Sequence, residues 1–443
     1  MDWHFEADQG KVIVAGKTLG GSSSINGAAF TRGLAAQYDS WSSLLTPSEQ
    51  SLNWNWNSLF SYMKKSEGFS APNSGQAAKG AQSNPAYHGT SGPVQVTFPD
   101  LMYGGPQQPN FVKTIKKTHN QQVTKILFKS GTNPVVATGV QFGRSTGERY
   151  TAYAAKEVIL AAGAINTPAL LQLSGVGDKS KLSALGINSV VDLPTVGKNL
   201  QEQTMNALVR MAMGLTLQGL VFGSQGAAMA SQIQGNVSTW AKAQAANGAN
   251  AAALQKIFQI QADLITKNNA PVVELFYDTG YPATLGIDMW SLLPFSRGTV
   301  QIKNNDPFTK PTTTVNYFAV NFDLQCQVAG ARMARKILTT TPLSSLSNGQ
   351  LVPDKSVIPD NASDATYSKW VKGNFHSVAH PIGTCAMMSR ELGGVVDGRL
   401  RVYGIKNVRV VDASAMPMQV SAHLSGPLYG FAEKAADIIK NNL

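Results

Sequence analysis

The sequence predicts an α/β fold joined to a section of mixed α+β character, and three observations carry that prediction. Twice the chain reads as a strand, a tight turn and a helix, the unit of a nucleotide-type sheet with helices packed on it. The first instance is the run Glu157-Val158-Ile159-Leu160-Ala161-Ala162, which stops at Gly163, and the second is Val408-Arg409-Val410-Val411, which stops at Asp412. Between them the texture changes to Ala/Gln-rich helical periodicity over 218–268 and strand-like alternation over 272–300.

From the N-terminus, the apolar Val12-Ile13-Val14 precedes a Gly/Ser-rich turn, Gly20-Gly21-Ser22-Ser23-Ser24. Residues 66–93 hold clusters of Gly, Ser, Pro and Asn and read as a surface excursion. After the first strand, Asn166-Thr167-Pro168 leads into Ala169-Leu170-Leu171 and Leu173, where apolar density predicts a helix. Leu254, Ile257 and Phe258 mark the apolar face of a helix in the middle section, and Val272 to Val300 reads as paired strands. Leu428, Phe431, Ala432, Ala435, Ile438 and Ile439 recur at helical spacing near the C-terminus. No internal repeat or heptad pattern is present.

The 443 residues are 43% hydrophobic and 14% charged, with 41 glycines, a composition that excludes a disordered chain and suits a large enzyme with a buried cofactor. The net charge is +11, yet the basic residues are scattered, their densest points being Lys64-Lys65 and Lys116-Lys117. Nucleic acid is not an expected partner, because such sites gather cations on one face to displace counterions. Cys326 and Cys385 are too few for a disulfide framework or a zinc site and are expected as buried thiols. No apolar run of about 18 residues implies a membrane span, and the acidic opening Met1-Asp2-Trp3-His4-Phe5-Glu6 does not read as a signal peptide. Two sequons, Asn236-Val237-Ser238 and Asn361-Ala362-Ser363, permit glycosylation in a secreted chain.

Of the histidines, His376, His380 and His423 stand out by context. His380-Pro381-Ile382-Gly383-Thr384-Cys385 and Ser421-Ala422-His423-Leu424 are apolar and Gly-rich, and both lie near the second strand-turn-helix unit. A lone imidazole in such a place is ordinarily a hydrogen-bonded core residue. Two together could instead share a substrate hydroxyl, one taking its proton and one holding its orientation. There is no Gly-x-Ser-x-Gly elbow, no Walker loop and no metal-type ligand spacing.

The segment Gly16-Lys17-Thr18-Leu19-Gly20-Gly21-Ser22-Ser23-Ser24-Ile25-Asn26-Gly27 resembles the first signature of the glucose-methanol-choline (GMC) flavin oxidoreductases. Residues 163–177, from Gly163-Ala164-Ile165-Asn166-Thr167-Pro168 to Gly175-Val176-Gly177, resemble the second. Gly197-Lys198-Asn199-Leu200-Gln201-Glu202-Gln203 and the two histidine motifs continue the likeness in the family's order. Glu274-Leu275-Phe276, Asp288-Met289-Trp290 and Gly393-Gly394-Val395-Val396-Asp397 are most similar to the fungal glucose-oxidase branch.

The resemblance implies a two-domain fold. A discontinuous FAD-binding domain would comprise residues 1–40, 121–203 and 395–443, and a substrate domain of antiparallel sheet and helices would comprise 41–120 and 204–394. It implies oxidation of an alcohol group, that of a sugar anomeric carbon foremost, with FAD as hydride acceptor and dioxygen or a quinone as electron sink. His380 would be the base, His423 its partner and Glu274 the carboxylate orienting His423. Ser22, Asn26, Gly27, Val123, Asp412, Ala413 and Leu424 would line the cofactor, with Val123 on the adenine side and Asp412 and Ala413 at the ribityl-phosphate. Phe276 and Trp290 would form an apolar substrate wall, and His376 stands where the branch carries an Arg that holds sugar hydroxyls, with Val378 in place of an Asn. The family likeness also implies a secreted protein and leaves room for a homodimer.

Two departures accompany the likeness. The family opens with a strand, a Gly-x-Gly-x-x-Gly turn and a helix that receive the pyrophosphate, and this sequence is expected to begin after them. An internal gap is expected near Thr118, where Phe111-Val112-Lys113-Thr114-Ile115 runs almost directly to Gln122-Val123-Thr124-Lys125-Ile126-Leu127. The alternative reading is therefore a truncated or degenerate relative that catalyses nothing and serves as a scaffold or interaction protein.

Overall fold

In a computed structural model of the chain, the described residues are 2–18, 20–78, 81–98, 122–145, 147–209, 222, 226–245, 250–278, 286–340 and 353–441. The expected gap at Thr118 and the pair Lys116-Lys117 lie outside them.

The two strand-turn-helix units meet. Val158–Leu160 pairs in parallel with Val408–Val410, Val158 standing opposite Val408 and Leu160 opposite Val410. Asp412, just past the second strand, ties the two turns together. Its carboxylate accepts from Gly163 N at 3.0 Å and Thr167 Oγ1 at 2.6 Å on one oxygen, and from the N–H and hydroxyl of Ser414 on the other. An antiparallel sheet of Gln122–Lys129, Val136–Gly143 and Arg149–Tyr153 lies alongside and is joined to the helix by the bond from Ile126 N to Ser174 Oγ at 2.9 Å.

The helix of the first unit is Gly163–Leu173, so it starts before Pro168 rather than after it as the apolar density suggested. A proline inside a helix leaves the carbonyl four residues back without its donor. Here that carbonyl is Ala164 O, and the buried Thr384 hydroxyl donates to it at 2.6 Å. A tertiary contact from the His380 loop thus repairs a local defect.

The middle section is mixed α+β. Helices Gly226–Ala245 and Ala251–Thr266 pack on each other, the second capped by Asn250 Oδ1 accepting from Ala252 N and Ala253 N, with Leu254, Ile257 and Phe258 buried. Strands Val273–Asp278, Gly286–Ser291, Thr204–Val209 and His376–Ser377 form an antiparallel sheet in that spatial order. Residues of a pleated strand alternate between faces. Ile287, Met289 and Ser291 are buried while Asp288 and Trp290 are half-buried, so one face of the sheet is sealed. Helix Asn321–Thr339 seals it, approaching so closely at Gly330 that a Cβ there would lie 2.8 Å from Val273 Cγ1.

The C-terminal helix Ser425–Lys440 packs on helix Trp56–Ser66, with Phe431 buried between Trp41 and Trp54. The 66–93 excursion is anchored rather than loose. Fully buried Glu67 takes Arg32 Nη2 at 2.8 Å and His88 Nδ1 at 2.9 Å. Within residues 298–317, Val300, Val315 and Tyr317 share an apolar cluster with Phe5, Ile13, Ile165, Leu200 and Phe375. Cys326 and Cys385 are free and buried.

Candidate active site

The open face of the four-stranded sheet carries one cross-strand row. Glu274 stands opposite Trp290, Trp290 opposite Met205, and Met205 opposite His376, so all four occupy the same face. Phe276 lies on that face one step along and stacks on Trp290, ring centroids 5.7 Å apart and planes within 18°.

Two loops bring imidazoles onto this surface. The first runs through His380 to Gly383, whose φ of 87° and close approach to Asn199 O, 2.7 Å from where a Cβ would sit, both require glycine. The second, 417–424, is pinned from three sides. Ser421 Oγ donates to Pro271 O at 2.7 Å, Ser421 N to Gln37 Oε1 at 3.0 Å, and His423 N to Thr31 Oγ1 at 2.9 Å. The rings of His380 and His423 consequently stand 5.9 Å apart, nearly perpendicular, and Trp290 contacts both, at 5.8 Å and 4.3 Å. Glu274 Oε1 lies 3.2 Å from His423 Nε2.

His380 Nδ1 is 2.7 Å from Gln203 Oε1. Part of the His380 surface is open, yet protein encloses the ring on its other sides. Burial, with His423 beside it, holds its pKa down to about 3, so the ring is neutral near pH 7. Among the described residues, His380 Nε2 and His423 Nδ1 take no hydrogen bond, and the Trp290 Nε1 donor is buried without a partner. A hydroxyl between the rings would find ring nitrogens that no protein group has taken. Beneath the loop, buried Glu202 accepts from His380 N at 3.1 Å, and burial pushes its carboxyl up to about 8.

Of the residues expected around a flavin, Ser22, Asn26, Gly27 and Val123 are exposed, whereas Asp412 and Leu424 are buried. Ser22 through Ala28 are all exposed, Ile25 at 37%, and Val123 is 40% exposed. A Cβ added at Gly21, Gly27 or Gly163 would meet nothing within 4 Å, so these glycines face space rather than protein. Asn26 Nδ2 bonds Ser425 Oγ at 3.1 Å, which sets the glycine-rich segment against the first turn of helix Ser425–Lys440, a turn with no side-chain cap at Leu424. Backbone N–H groups at such a turn favour a partial negative charge. An exposed glycine-rich segment set against an uncapped helix N-terminus fits an anionic cofactor.

Not every expected residue reaches the space in the expected way. The Asp412 carboxylate is fully engaged by Gly163, Thr167 and Ser414, so it organises the turns instead of offering lone pairs to a ligand. His376 is exposed and separated from Trp290 by Met205, which keeps it at the rim. Gln203 was not singled out from sequence, although it touches His380. The signals available were its place at the end of the Gly197–Gln203 motif and three consecutive polar residues, Gln201-Glu202-Gln203, in an apolar setting, and all three are buried. The surface recess lined by Gln172, Asp178, Lys181 and Gln301 shares no residue with this group. Among the described residues no cluster of His, Cys, Asp and Glu is placed to hold a metal ion, and no helix is long and apolar enough to cross a membrane.

Comparison with known proteins gives concordant matches. The N-terminal model described as GMC oxidoreductase matches residues 5–116 and 108–205, two stretches that overlap beside the expected gap, and the C-terminal model matches 294–432. Glucose oxidase 2 of Penicillium expansum is 33% identical over 97% of this chain and 80% of its own length. A glucose oxidase-like protein of Humicola fuscoatra is 34% identical over 96% of this chain and 82% of its own length. Among solved structures, a fungal aryl-alcohol oxidase superposes with a TM-score of 0.84 at 24% identity, covering 100% of this chain and 90% of that one.

Proposed function

The chain belongs to the GMC oxidoreductase family, FAD-dependent enzymes that act on CH–OH donors, and on that premise we propose that His380 and His423 are its proton-handling pair. The observation that carries the proposal is the perpendicular pair of imidazoles against Trp290, one neutral and the other facing a carboxylate. His380 takes the hydroxyl proton as general base. His423 holds the substrate oxygen, and Glu274 orients that second ring.

Bound FAD would accept the hydride from the substrate carbon. Ser22, Asn26, Gly27, Val123, Ala413 and Leu424 would hold it, with Asp412 acting through the turns it organises. The FAD-binding part is placed at 1–40, 121–203 and 395–443, and the parallel pairing of Val158–Leu160 with Val408–Val410 supports joining the latter two segments.

The substrate we favour is an aldose at its anomeric hydroxyl or an aromatic primary alcohol. The glucose oxidases among the relatives support the first, and the stacked Phe276–Trp290 wall supports the second. Dioxygen is the favoured electron sink, with a quinone as alternative, and we place the protein outside the cell on the family likeness. The test is anaerobic mixing of the flavin-loaded protein with glucose, other aldoses and benzyl alcohol while flavin absorbance is followed. Bleaching by at least one of them is expected; an oxidised spectrum with every alcohol would overturn the reading.

A further inference from the structure

We propose that Gln203 is a positioning residue that fixes the tautomer of His380, holding the proton on Nδ1 and leaving the Nε2 lone pair as the base. The proposal rests on the reading of His380 as base and explains how that ring is made ready.

Gln203 is fully buried and bridges two elements. Its Oε1 lies 2.7 Å from His380 Nδ1, and its Nε2 donates to Leu292 O at 3.0 Å. A backbone carbonyl only accepts, so the amide must turn its NH2 toward Leu292. The flipped amide would set two oxygens face to face and strand a buried carbonyl. With the amide so fixed, an oxygen faces Nδ1, and only a protonated Nδ1 can complete that contact. A neutral imidazole carries one N–H, so Nε2 is left bare.

The rest of His380 is held as tightly. Its N–H donates to Glu202 Oε1 at 3.1 Å, and its carbonyl accepts from Gln419 Nε2 at 2.9 Å. Gln419 is in turn set by its own N–H donating to Gln201 Oε1 at 3.2 Å. Gln201-Glu202-Gln203 therefore acts as one clamp on the His380 loop, with only Gln203 reaching the ring. The choice of an amide matters chemically. A carboxylate at position 203 would favour imidazolium and occupy the base with a proton before substrate arrives.

The experiment is ¹⁵N spectroscopy of the imidazoles in the flavin-loaded protein with ¹⁵N-labelled histidine, the His380 signals assigned by their loss in His380→Asn. The wild type is expected to show a protonated Nδ1 and a bare Nε2 at neutral pH. Gln203→Leu should lose that signature and slow anaerobic flavin reduction about 10²-fold, the scale of removing a base. Gln203→Glu should retain the Nδ1 proton and move the acid limb of the pH profile of flavin reduction to higher pH. A purely structural role for Gln203 would move neither the ¹⁵N signature nor the limb. A wild-type His380 protonated on Nε2, a Gln203→Leu protein that keeps the Nδ1 proton, or an unmoved limb in Gln203→Glu would each overturn the proposal. If Gln203→Leu does not fold, the wild-type spectrum and the Glu variant still decide it. Should the tautomer be as stated while His380→Ala reduces flavin at the wild-type rate, the base assignment fails and the positioning role of Gln203 stands.

Discussion

Replacing Glu202 by Gln should flatten the fall of stability on the alkaline side. Glu202 is 2% exposed, one oxygen taking the His380 N–H and the other without a partner. Burial raises its pKa from 4.5 to about 8. Between those values the folded chain keeps a proton that the unfolded chain releases, so this contribution is fully present below pH 4.5 and lost as pH rises through 8. One proton corresponds to a slope of about 1.4 kcal/mol per pH unit, which gives about 2 kcal/mol between pH 6 and pH 8. A Gln of the same size still accepts the His380 N–H but cannot titrate. Any constant offset from the substitution drops out of the pH difference. His380 acts with the opposite sign: its folded value of about 3 against the usual 6.5 gives a contribution present above 6.5 and lost as pH falls toward 3. It is common to both proteins and cancels. Urea unfolding of wild type and Glu202→Gln at steps from pH 6 to pH 8 provides the comparison. The variant should gain about 2 kcal/mol relative to wild type across that range; a difference that stays level would mean that Glu202 is ionised in the fold and that its burial has been misjudged.

Thr384→Val should destabilise the chain by about 1 to 3 kcal/mol in the same unfolding assay, because it strands the Ala164 carbonyl that Pro168 leaves open; a loss below about 0.5 kcal/mol would show that another donor takes over. Glu274→Gln keeps the size of the group at His423 but removes its charge, and should slow anaerobic flavin reduction about tenfold, less than loss of the base itself. Across glucose, other aldoses and aromatic primary alcohols, kcat/KM should spread by less than about 200-fold, since an apolar wall discriminates weakly while a pocket built on fixed hydrogen bonds rejects poor matches by 10⁴ or more. An exclusive preference for glucose would show that other residues do the work of the absent Arg.

The two strand-turn-helix units were legible because short apolar runs ending at Gly163 and Asp412 have few other ways to fold. The start of the first helix was not, since the donor that makes Pro168 acceptable comes from Thr384, more than two hundred residues away. Pairing of His380 with His423 was legible through motif resemblance and not through spacing, because it depends on loops pinned by Gln37, Thr31 and Pro271. Gln203 carried no signal of its own: an amide has no titrating group, and only the position of the Leu292 carbonyl gives it a direction. Asp412 shows the reverse case, a carboxylate conspicuous in sequence whose lone pairs are all taken by its own turns.

The most direct test of the account is the rate of flavin reduction in His380→Ala. The flavin-loaded wild type and variant would be mixed anaerobically with the alcohol that bleaches the wild type fastest, at saturating concentration. The neutral, amide-held ring predicts a fall of about 10²-fold or more, the usual scale for loss of a general base. A variant that reduces its flavin at the wild-type rate would contradict the account, and the two imidazoles against Trp290 would then be packing residues.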